Sequence, residues 1–423
     1  MKNKIYKIRL LLSMLIGILS ALAVFGVFYG IKFLDIQFSP LFQRLIFDFS
    51  IAALLLFLSI IILTVIFGRF YCSLLCPFGI LQEFIAFVRG KRKNTPHGNY
   101  GFKYLIAGLT FGCLIGGSAL IIRYIDPYTV FGSAFSLSAF GLVFACIIFA
   151  LVLFKNRFFC TNICPVGCVL GLISKISVNK LYMDENCVSC GLCANNCPSG
   201  CINHKDKSIN NETCVKCLKC ISVCPKGAIK FGVRPVRFNP KRRDFLWMAG
   251  AFGVISAGYL AGLNFTKNIT KKIKDIILPA GADDISRMAN KCLNCNLCIN
   301  NCPNKILTKA GNNFPVVHID YKQGQGYCKY DCNECSKVCP SGAIKKISLN
   351  EKQNTRIAMA VVQEDLCSRC GLCAGECPKN AIKFDSSKSA EVISSLCIGC
   401  GKCAKKCPAK AIELFAVNKQ SII

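Results

Sequence analysis

Histidine is nearly missing from this chain. Only His97, His204 and His318 occur in 423 residues, and none lies in an apolar run. That argues against haem b held by paired histidines inside a membrane. No C-x-x-C-H occurs either, which argues against covalently attached haem c. No G-x-G-x-x-G opens a β-α-β unit, so no nicotinamide or flavin site is evident. Charge is also sparse. Only 17% of residues are charged, against about 25% in ordinary soluble domains. Mean hydropathy is +0.45, which rules out a purely soluble or disordered chain and puts part of it in lipid. Acidic residues are fewest of all, 22 against 52 basic, for a net charge of +30. Such an excess can serve nucleic acid, anionic lipid or an acidic partner. No nucleic-acid reader motif accompanies it, so no nucleic-acid partner is expected.

Cysteine is what the chain has in abundance, 32 residues in all. Disulfide scaffolds are short secreted chains, whereas most of these cysteines fall in tight, repeated spacings that point to metal clusters. Cys187, Cys190, Cys193, Cys197 and Cys214, Cys217, Cys220, Cys224 form two C-x-x-C-x-x-C-x-x-x-C-P motifs. Cys292, Cys295, Cys298, Cys302 form a third, and Cys328, Cys332, Cys335, Cys339 a variant with one extra residue in its first gap. Cys367, Cys370, Cys373, Cys377 and Cys397, Cys400, Cys403, Cys407 complete six, each followed by proline. Bacterial ferredoxins hold [4Fe–4S] clusters this way, the fourth cysteine usually serving the other cluster of a pair. Zinc sites favour C-x-x-C pairs, often with histidine. Pairing in chain order gives three two-cluster modules and six [4Fe–4S] clusters. Cys187, Cys190, Cys193 and Cys224 are expected to share one cluster, and Cys214, Cys217, Cys220 and Cys197 the next. The same exchange applies to the other modules, the extra residue after Cys328 leaving its wiring open. Each cluster with four thiolates carries roughly two negative charges, so six would bring the net charge to about +18. Cys201 falls outside the motif and reads as a packed thiol.

Five apolar spans are long enough to cross a bilayer: 10–31, 45–67, 104–122, one within 129–154, and a less apolar one at 245–266. The first is too long for a cleaved signal peptide and more spans follow it. Lys2, Lys4, Lys7 and Arg9 precede the first span, and Arg69, Arg89, Lys91, Arg92, Lys93 and Lys103 follow the second. Positive loops face the cytoplasm. The N-terminus and first ferredoxin module are therefore expected there, and residues beyond about 267 outside. Lys267, Lys271, Lys272 and Lys274 run against the rule, although long domains translocate regardless of charge. Lys241-Arg242-Arg243-Asp244-Phe245-Leu246 reads as a twin-arginine export signal. That route carries domains already loaded with clusters, and no A-x-A site follows, so the fifth helix is expected to remain as an anchor.

A second repeat lies in the apolar half. Arg69-Phe70-Tyr71-Cys72-Ser73-Leu74-Leu75-Cys76-Pro77-Phe78-Gly79 is echoed 88 positions later by Arg157-Phe158-Phe159-Cys160-Thr161-Asn162-Ile163-Cys164-Pro165-Val166-Gly167. The two halves are expected to be helical hairpins, each ending in C-x-x-x-C-P. Thiols at i and i+4 share a helix face. Meeting in space, Cys72, Cys76, Cys160 and Cys164 could ligate a metal or cluster, or cycle between dithiol and disulfide. Cys168 is open between that site and packing, and Cys113 and Cys146 read as apolar filler. Asp48, Arg123 and Asp126 are expected near the outer face.

The expected fold is thus a membrane α-helical protein, four helices plus a fifth anchor helix, carrying α+β two-cluster ferredoxin-like modules. Its parts are 1–180 (membrane), 181–235 (cytoplasmic module), 240–267 (signal and anchor), and 285–348 and 360–415 (external modules). Residues 1 to about 235 resemble the NapH family in the twin C-x-x-x-C-P motifs and the two-cluster module. Residues from about 240 to 415 resemble the NapG/MauM family, so the chain looks like a fusion of the two. The resemblance implies a bacterial inner-membrane quinol dehydrogenase that takes electrons from menaquinol and delivers them to an extracytoplasmic reductase. The related NosR and cytochrome oxidase accessory families share the membrane motif. Two alternatives stay open: a maturation or regulatory factor that reduces or activates a partner metalloenzyme, and a carrier from a cytosolic donor to quinone.

Overall fold

The computed structural model describes residues 2–24, 36–48, 50–89, 101–119, 121–135, 139–154, 156–233, 250, 253–265, 275–310 and 316–423. The twin-arginine sequence at 241–246, His97 and the lysines at 267–274 lie outside the described residues. The chain divides into two compact units, 1–263 and 264–423.

Among the described residues, the first unit opens with eleven helices: α1 (Lys2–Val24), α2 (Phe38–Asp48), α3 (Ile51–Phe67), α4 (Tyr71–Leu74), α5 (Pro77–Arg89), α6 (Gly101–Ile115), α7 (Ile122–Ile125), α8 (Pro127–Phe135), α9 (Ala139–Phe154), α10 (Phe158–Asn162) and α11 (Pro165–Lys175). The repeat reaches further than the cysteine motif. In each half a short helix, α2 or α8, packs back along the apolar helix that follows it, α3 or α9. Each short helix carries proline in its first turn, Pro40 or Pro127, where the missing N–H costs nothing. Phe38 and Phe42 pack tilted against Phe57 with ring centroids 5.1 and 5.7 Å apart.

These short helices correct the expected spans. Residues 45–48 belong to α2, so the second apolar helix begins only at Ile51. The third ends at Ile115, where Gly116 and the left-handed Gly117 stop it. The fourth, expected within 129–154, is α9, with α8 preceding it as a separate helix. Among the described residues, one helix segment, Lys4–Leu22, is both long and apolar enough to span a bilayer; Ile51–Phe67, Phe102–Ile115, Leu142–Leu153 and Gly253–Phe265 are shorter apolar helices.

The first ferredoxin-like module follows directly. Strand β1 (Asn179–Met183) pairs antiparallel with β4 (Ile229–Val233), enclosing the small hairpin β2 (Ile202–Asn203)–β3 (Ser208–Ile209) and the turns α12 (Leu192–Asn195) and α13 (Lys219–Val223). Leu181, Ile202 and Ile229 fill a core otherwise made largely of cysteine. α13 packs on α1, and β1 reaches α3. The unit ends in α14 (Gly253–Phe265), which crosses α6 backbone to backbone. A Cβ at Gly112 would stand 2.3 Å from the Ile255 carbonyl oxygen, and one at Gly258 2.8 Å from that of Leu109. Gly116 and Gly262 repeat the pattern at Tyr259 and Cys113. Glycines spaced four apart on both helices permit this approach. The contacts advance together along both helices, so α6 and α14 run in the same direction.

The second unit holds α15 (Ile285–Lys291), α16 (Leu297–Asn300), β5 (Leu307–Lys309), β6 (Val317–Ile319), α17 (Glu334–Val338), α18 (Leu349–Asn354), β7 (Thr355–Val362), α19 (Leu372–Gly375), β8 (Ile382–Lys383), β9 (Glu391–Val392), α20 (Lys402–Lys406) and β10 (Ile412–Ile422). β5–β6 and β8–β9 are short hairpins, one in each module. β7 and β10 form a longer ribbon, with Ile412 opposite Val362 and Ala416 opposite Ala358. Leu414 touches the cores of both modules. Beyond a bulge, Gln420 turns back to the first loop of the unit. Its Oε1 accepts from the Gly281 and Asp283 N–H groups at 2.9 and 3.3 Å, and its Nε2 donates to the Pro279 carbonyl at 2.9 Å.

Candidate metal centres and a buried four-thiol site

Five of the six ferredoxin loops turn through left-handed backbone, at Ser189 and Gly191, Lys216 and Leu218, Asn294 and Asn296, Arg369 and Gly371, and Gly399 and Gly401; the Cys328 variant loop does not. Such turns point successive N–H groups inward, a nest for anionic sulfur. N–H groups also meet the motif's distant cysteines: Ile344 donates to Cys339 Sγ at 3.4 Å, Ala381 to Cys377 at 3.2 Å and Ala411 to Cys407 at 3.3 Å.

The cysteines gather across the motifs. Cys187, Cys190 and Cys193 line one cavity with Cys224. Cys214, Cys217 and Cys220 line another with Cys197. Cys328, Cys332 and Cys335 share theirs with Cys302, so the extra residue leaves the exchange unchanged. Cys397, Cys400 and Cys403 join Cys377, and Cys367, Cys370 and Cys373 join Cys407. Cys292, Cys295 and Cys298 lie within reach of Cys339's charge. The four thiols of each set, with a cavity between them in five of the sets, fit a four-thiolate cubane. Among the described residues no three potential ligands converge as tightly as a single ion requires. Two cluster loops of the second unit touch directly, the Cys328 N–H donating to the Cys400 carbonyl at 2.8 Å.

The twin C-x-x-x-C-P motifs also meet. Cys72, Cys76, Cys160 and Cys164 are all buried; burial, with the neighbouring thiols, pushes the Cys160 and Cys164 thiols up. Two arginines cross between the halves: Arg69 Nη2 donates to the Cys160 carbonyl at 3.0 Å, and Arg157 Nη1 to that of Cys72 at 3.1 Å. Gly79 and Gly167 lie against the same two carbonyls, where a Cβ would come within 2.3 and 2.7 Å. The helices after each Cys-Pro can approach only because these residues are glycine. Every sulfur meets an N–H donor. Arg69 Nη2 lies 3.8 Å from Cys72 Sγ, Gln82 Nε2 3.2 Å from Cys160 Sγ, and the Gly167 N–H 3.2 Å from Cys164 Sγ. The Gly79 N–H serves Cys76. Glu83 anchors the frame, bonding Arg157 at 2.6 Å and Arg9 through both oxygens. Burial alone would push the Glu83 carboxyl up, but Arg157 and Arg9 outweigh it and leave it below its ordinary value. Burial likewise opposes the Arg69 charge, and neighbouring Cys72 and Cys160 hold it protonated.

Arg69 also joins this site to the first module. Its Nη1 donates to the Glu212 carbonyl at 3.1 Å, two residues before Cys214. The Glu212 carboxylate pairs with Lys103 and accepts from Tyr104 at 2.6 Å, and Ser174 holds the Asn211 carbonyl at 2.9 Å. Asp126 is fully buried, bonded to Ser39, and caps α8 through the Tyr128 and Thr129 N–H groups at 3.0 and 3.2 Å. Ser39 and Asp126, each just before a proline, therefore meet where the two halves join. Nearby, Tyr71 donates to Gln37 at 2.6 Å and accepts from the Phe38 N–H at 3.1 Å. Asp48 is exposed at the end of α2, and Arg123 is buried against the Ala119 carbonyl at 2.9 Å. Cys201 Sγ lies 3.4 Å from Cys197 Sγ. Cys168 is buried in α11, Cys113 sits at the α6–α14 crossing, and Cys146 is exposed. Sequence reasoning passed over Arg9, Gln82, Glu83 and Glu212, and the only cue to Arg69 and Arg157 was their place in the repeat.

Comparison with known proteins agrees with this chemistry. Residues 49–96 and 137–183, the two C-x-x-x-C-P repeats, match a 4Fe-4S binding domain family, and residues 289–308 another of that description. Residues 186–228 and 360–414 match 4Fe-4S dicluster domain families. The chain is 29% identical over 169 residues to the putative electron transport protein YccM of Escherichia coli (strain K12), covering 35% of this chain and 46% of YccM. It is 27% identical over 142 residues to the methylamine utilization ferredoxin-type protein MauN of Paracoccus denitrificans, 31% of this chain and 48% of MauN. To the ferredoxin-type protein NapF of Escherichia coli (strain K12) it is 31% identical over 146 residues, 26% of this chain and 86% of NapF. The chain thus spans about half the length of YccM and MauN. With several 4Fe-4S domains and this NapF likeness, the chain belongs to the ferredoxin-type electron-transport proteins.

Proposed function

We propose that the chain is a bacterial inner-membrane protein that oxidises menaquinol and passes the electrons to an extracytoplasmic reductase, as a NapH-type subunit fused to a NapG/MauM-type polyferredoxin. Six [4Fe–4S] clusters, one for each cysteine set described above, supply one-electron chemistry. The observation that carries the reading is the Arg69 junction. One guanidinium holds the Cys214 loop of an iron–sulfur module against four buried thiols of an apolar helical unit.

Two further features support a membrane setting. Leu11, Leu12, Leu15 and Ile18 on α1, with Leu55, Leu58 and Ile62 on α3, present bare apolar surface, which suits lipid. The shared direction of α6 and α14 agrees with a chain that crosses to the outside after the first module, and the glycine crossing with a retained anchor. In this reading the twin-arginine sequence sends the second unit across already loaded, and the first module stays cytoplasmic. Quinol protons have an acceptor in Asp126, buried between the two halves beside Ser39.

The test uses anaerobically purified, detergent-extracted protein and a reduced menaquinone analogue, with cluster reduction followed by electron paramagnetic resonance. Rapid reduction is expected. If no cluster takes electrons from quinol, the reading fails, and a cytosolic donor or an activating role for a partner metalloenzyme replaces it.

A further inference from the structure

We propose that Ser199, Cys201 and Lys216 give the cluster of Cys197, Cys214, Cys217 and Cys220 the stabilisation that water gives an exposed cluster, and so raise its potential. They are positioning residues and not ligands. The inference concerns side chains beyond the cysteine motifs, and it does not depend on quinol as the electron donor.

The two cysteine sets of the first module differ in their surroundings. Cys190 of one set is exposed, whereas Cys197, Cys214, Cys217 and Cys220 of the other are buried behind the Arg69 junction. An electron takes a four-thiolate cluster from roughly two negative charges to about three. Water relieves that added charge at an exposed site. In a buried one it is costly unless donors or cations stand in for water. Hydrogen bonds to sulfur and local charge are among the terms that set a cluster's potential.

Three side chains fill that role. Cys201 stands four residues after Cys197, where the other repeats carry Ala228, Ile306, Ala343, Ala381 and Ala411, none able to donate. Its Sγ lies 3.4 Å from Cys197 Sγ and also bonds Cys214. With four ligands already in place Cys201 keeps its proton, so it is the donor in these contacts. Ser199 is 2% exposed and lines the same cavity, and its hydroxyl has no partner among the described residues. A buried hydroxyl left unpaired calls for an acceptor, and cluster sulfur in that cavity is one. Lys216 lies in the gap between Cys214 and Cys217 and is 5% exposed. At the same place in other loops Ser189, Asn294 and Gly399 carry no charge, and Arg369 is exposed. The Lys216 Nζ donates to Asn211 Oδ1, and no carboxylate pairs with it among the described residues. A buried ammonium without a counter-ion is costly, and an anionic cluster balances it. Gly68 makes the room, since a Cβ there would stand 2.4 Å from Lys216 Cε.

Reduction then adds one electron, arriving from a neighbouring redox centre, and no proton. The four thiolates stay bound and Cys201 keeps its hydrogen. The cluster beside the helical unit can hold an electron while cut off from water.

The test titrates full-length, anaerobically purified protein with dithionite and follows each cluster by electron paramagnetic resonance. Cys201→Ala and Ser199→Ala should each move one signal to more negative potential, with iron and acid-labile sulfide per chain unchanged. Cys201→Ser keeps a donor and should restore most of the shift. Lys216→Met should move the same signal in the same direction, and Lys216→Arg should leave it near its place. If Lys216→Met fails to load its cluster, Cys201→Ala decides alone, because alanine is what most other repeats carry there. Unchanged potentials in Cys201→Ala with full iron would overturn the proposal, as would loss of one cluster's iron, which would make Cys201 a ligand. Dithionite reduces the clusters whether or not quinol does, so this inference and the quinol reading fail separately.

Discussion

The ferredoxin modules and the twin-motif site bind sulfur in opposite ways. In the modules the donors are backbone amides, arranged by left-handed turns in loops whose outer cysteines, such as Cys190 and Cys370, are exposed. In the helical unit the donors include guanidinium and amide side chains, and all four thiols are buried. Backbone dipoles come with the loop itself and add little net charge. Arginine brings a full charge that must be balanced locally. The first arrangement recurs in five loops along one chain. The second works only where two halves and a carboxylate are assembled together.

The largest test of that contrast makes the same change in both regions. Glu83→Gln leaves Arg9 and Arg157 buried without their carboxylate and should cost about 3–5 kcal/mol, read as a fall in unfolding midpoint of the solubilised protein. Glu376→Gln removes a surface partner of Lys402 and Lys406 and should leave the midpoint unchanged. Acid should show the same order. The Glu83 carboxyl is held below its ordinary 4.5, so its contribution is complete above that pH and disappears as pH falls through the depressed value. A midpoint insensitive to Glu83→Gln would mean the arginines are balanced by something else.

Glycine provides the next comparison. Gly79→Ala forces a methyl against the Cys72 carbonyl and should cost about 1–3 kcal/mol, whereas Gly375→Ala meets nothing within 4 Å and should be silent in the same unfolding assay. Within the modules, Lys352 is a buried cation whose Nζ donates to the Tyr330 carbonyl at 2.9 Å. Lys352→Met should lower the potential of one cluster in a redox titration and leave the others in place. The smallest effect is expected at Cys201, which occupies the position held by Ala228, Ala343, Ala381 and Ala411 in other repeats. Cys201→Ala should keep the full iron content while Cys197→Ser loses a cluster; the reverse would make Cys201 the ligand.

The modules were the more legible region. Cysteine spacing alone anticipated the exchange of Cys197 and Cys224, because the motif is local and its loop geometry travels with it. The helical unit was legible only as a repeat. Hydropathy read 45–67 as a single span because a helix folded back on its neighbour is as apolar as that neighbour. Proline at positions 40 and 127 was the available cue. No counting of lysines and arginines reveals the bond between Ser39 and Asp126, which joins segments far apart in the chain. Arg9, Glu83 and Glu212 come from three distant stretches, and only the fold brings them to the thiols.

Gln420 closes a loop that begins 139 residues earlier, at Gly281. On the ribosome, that loop and the cysteines of the middle module emerge long before the strand that pins them. The first ferredoxin module, whose β1 and β4 are both made by residue 233, has no such wait. Closure of the second unit therefore waits for synthesis of residues 412–422. A nascent chain stalled before residue 412 would carry a first module able to close and a second unit still without its fastening strand.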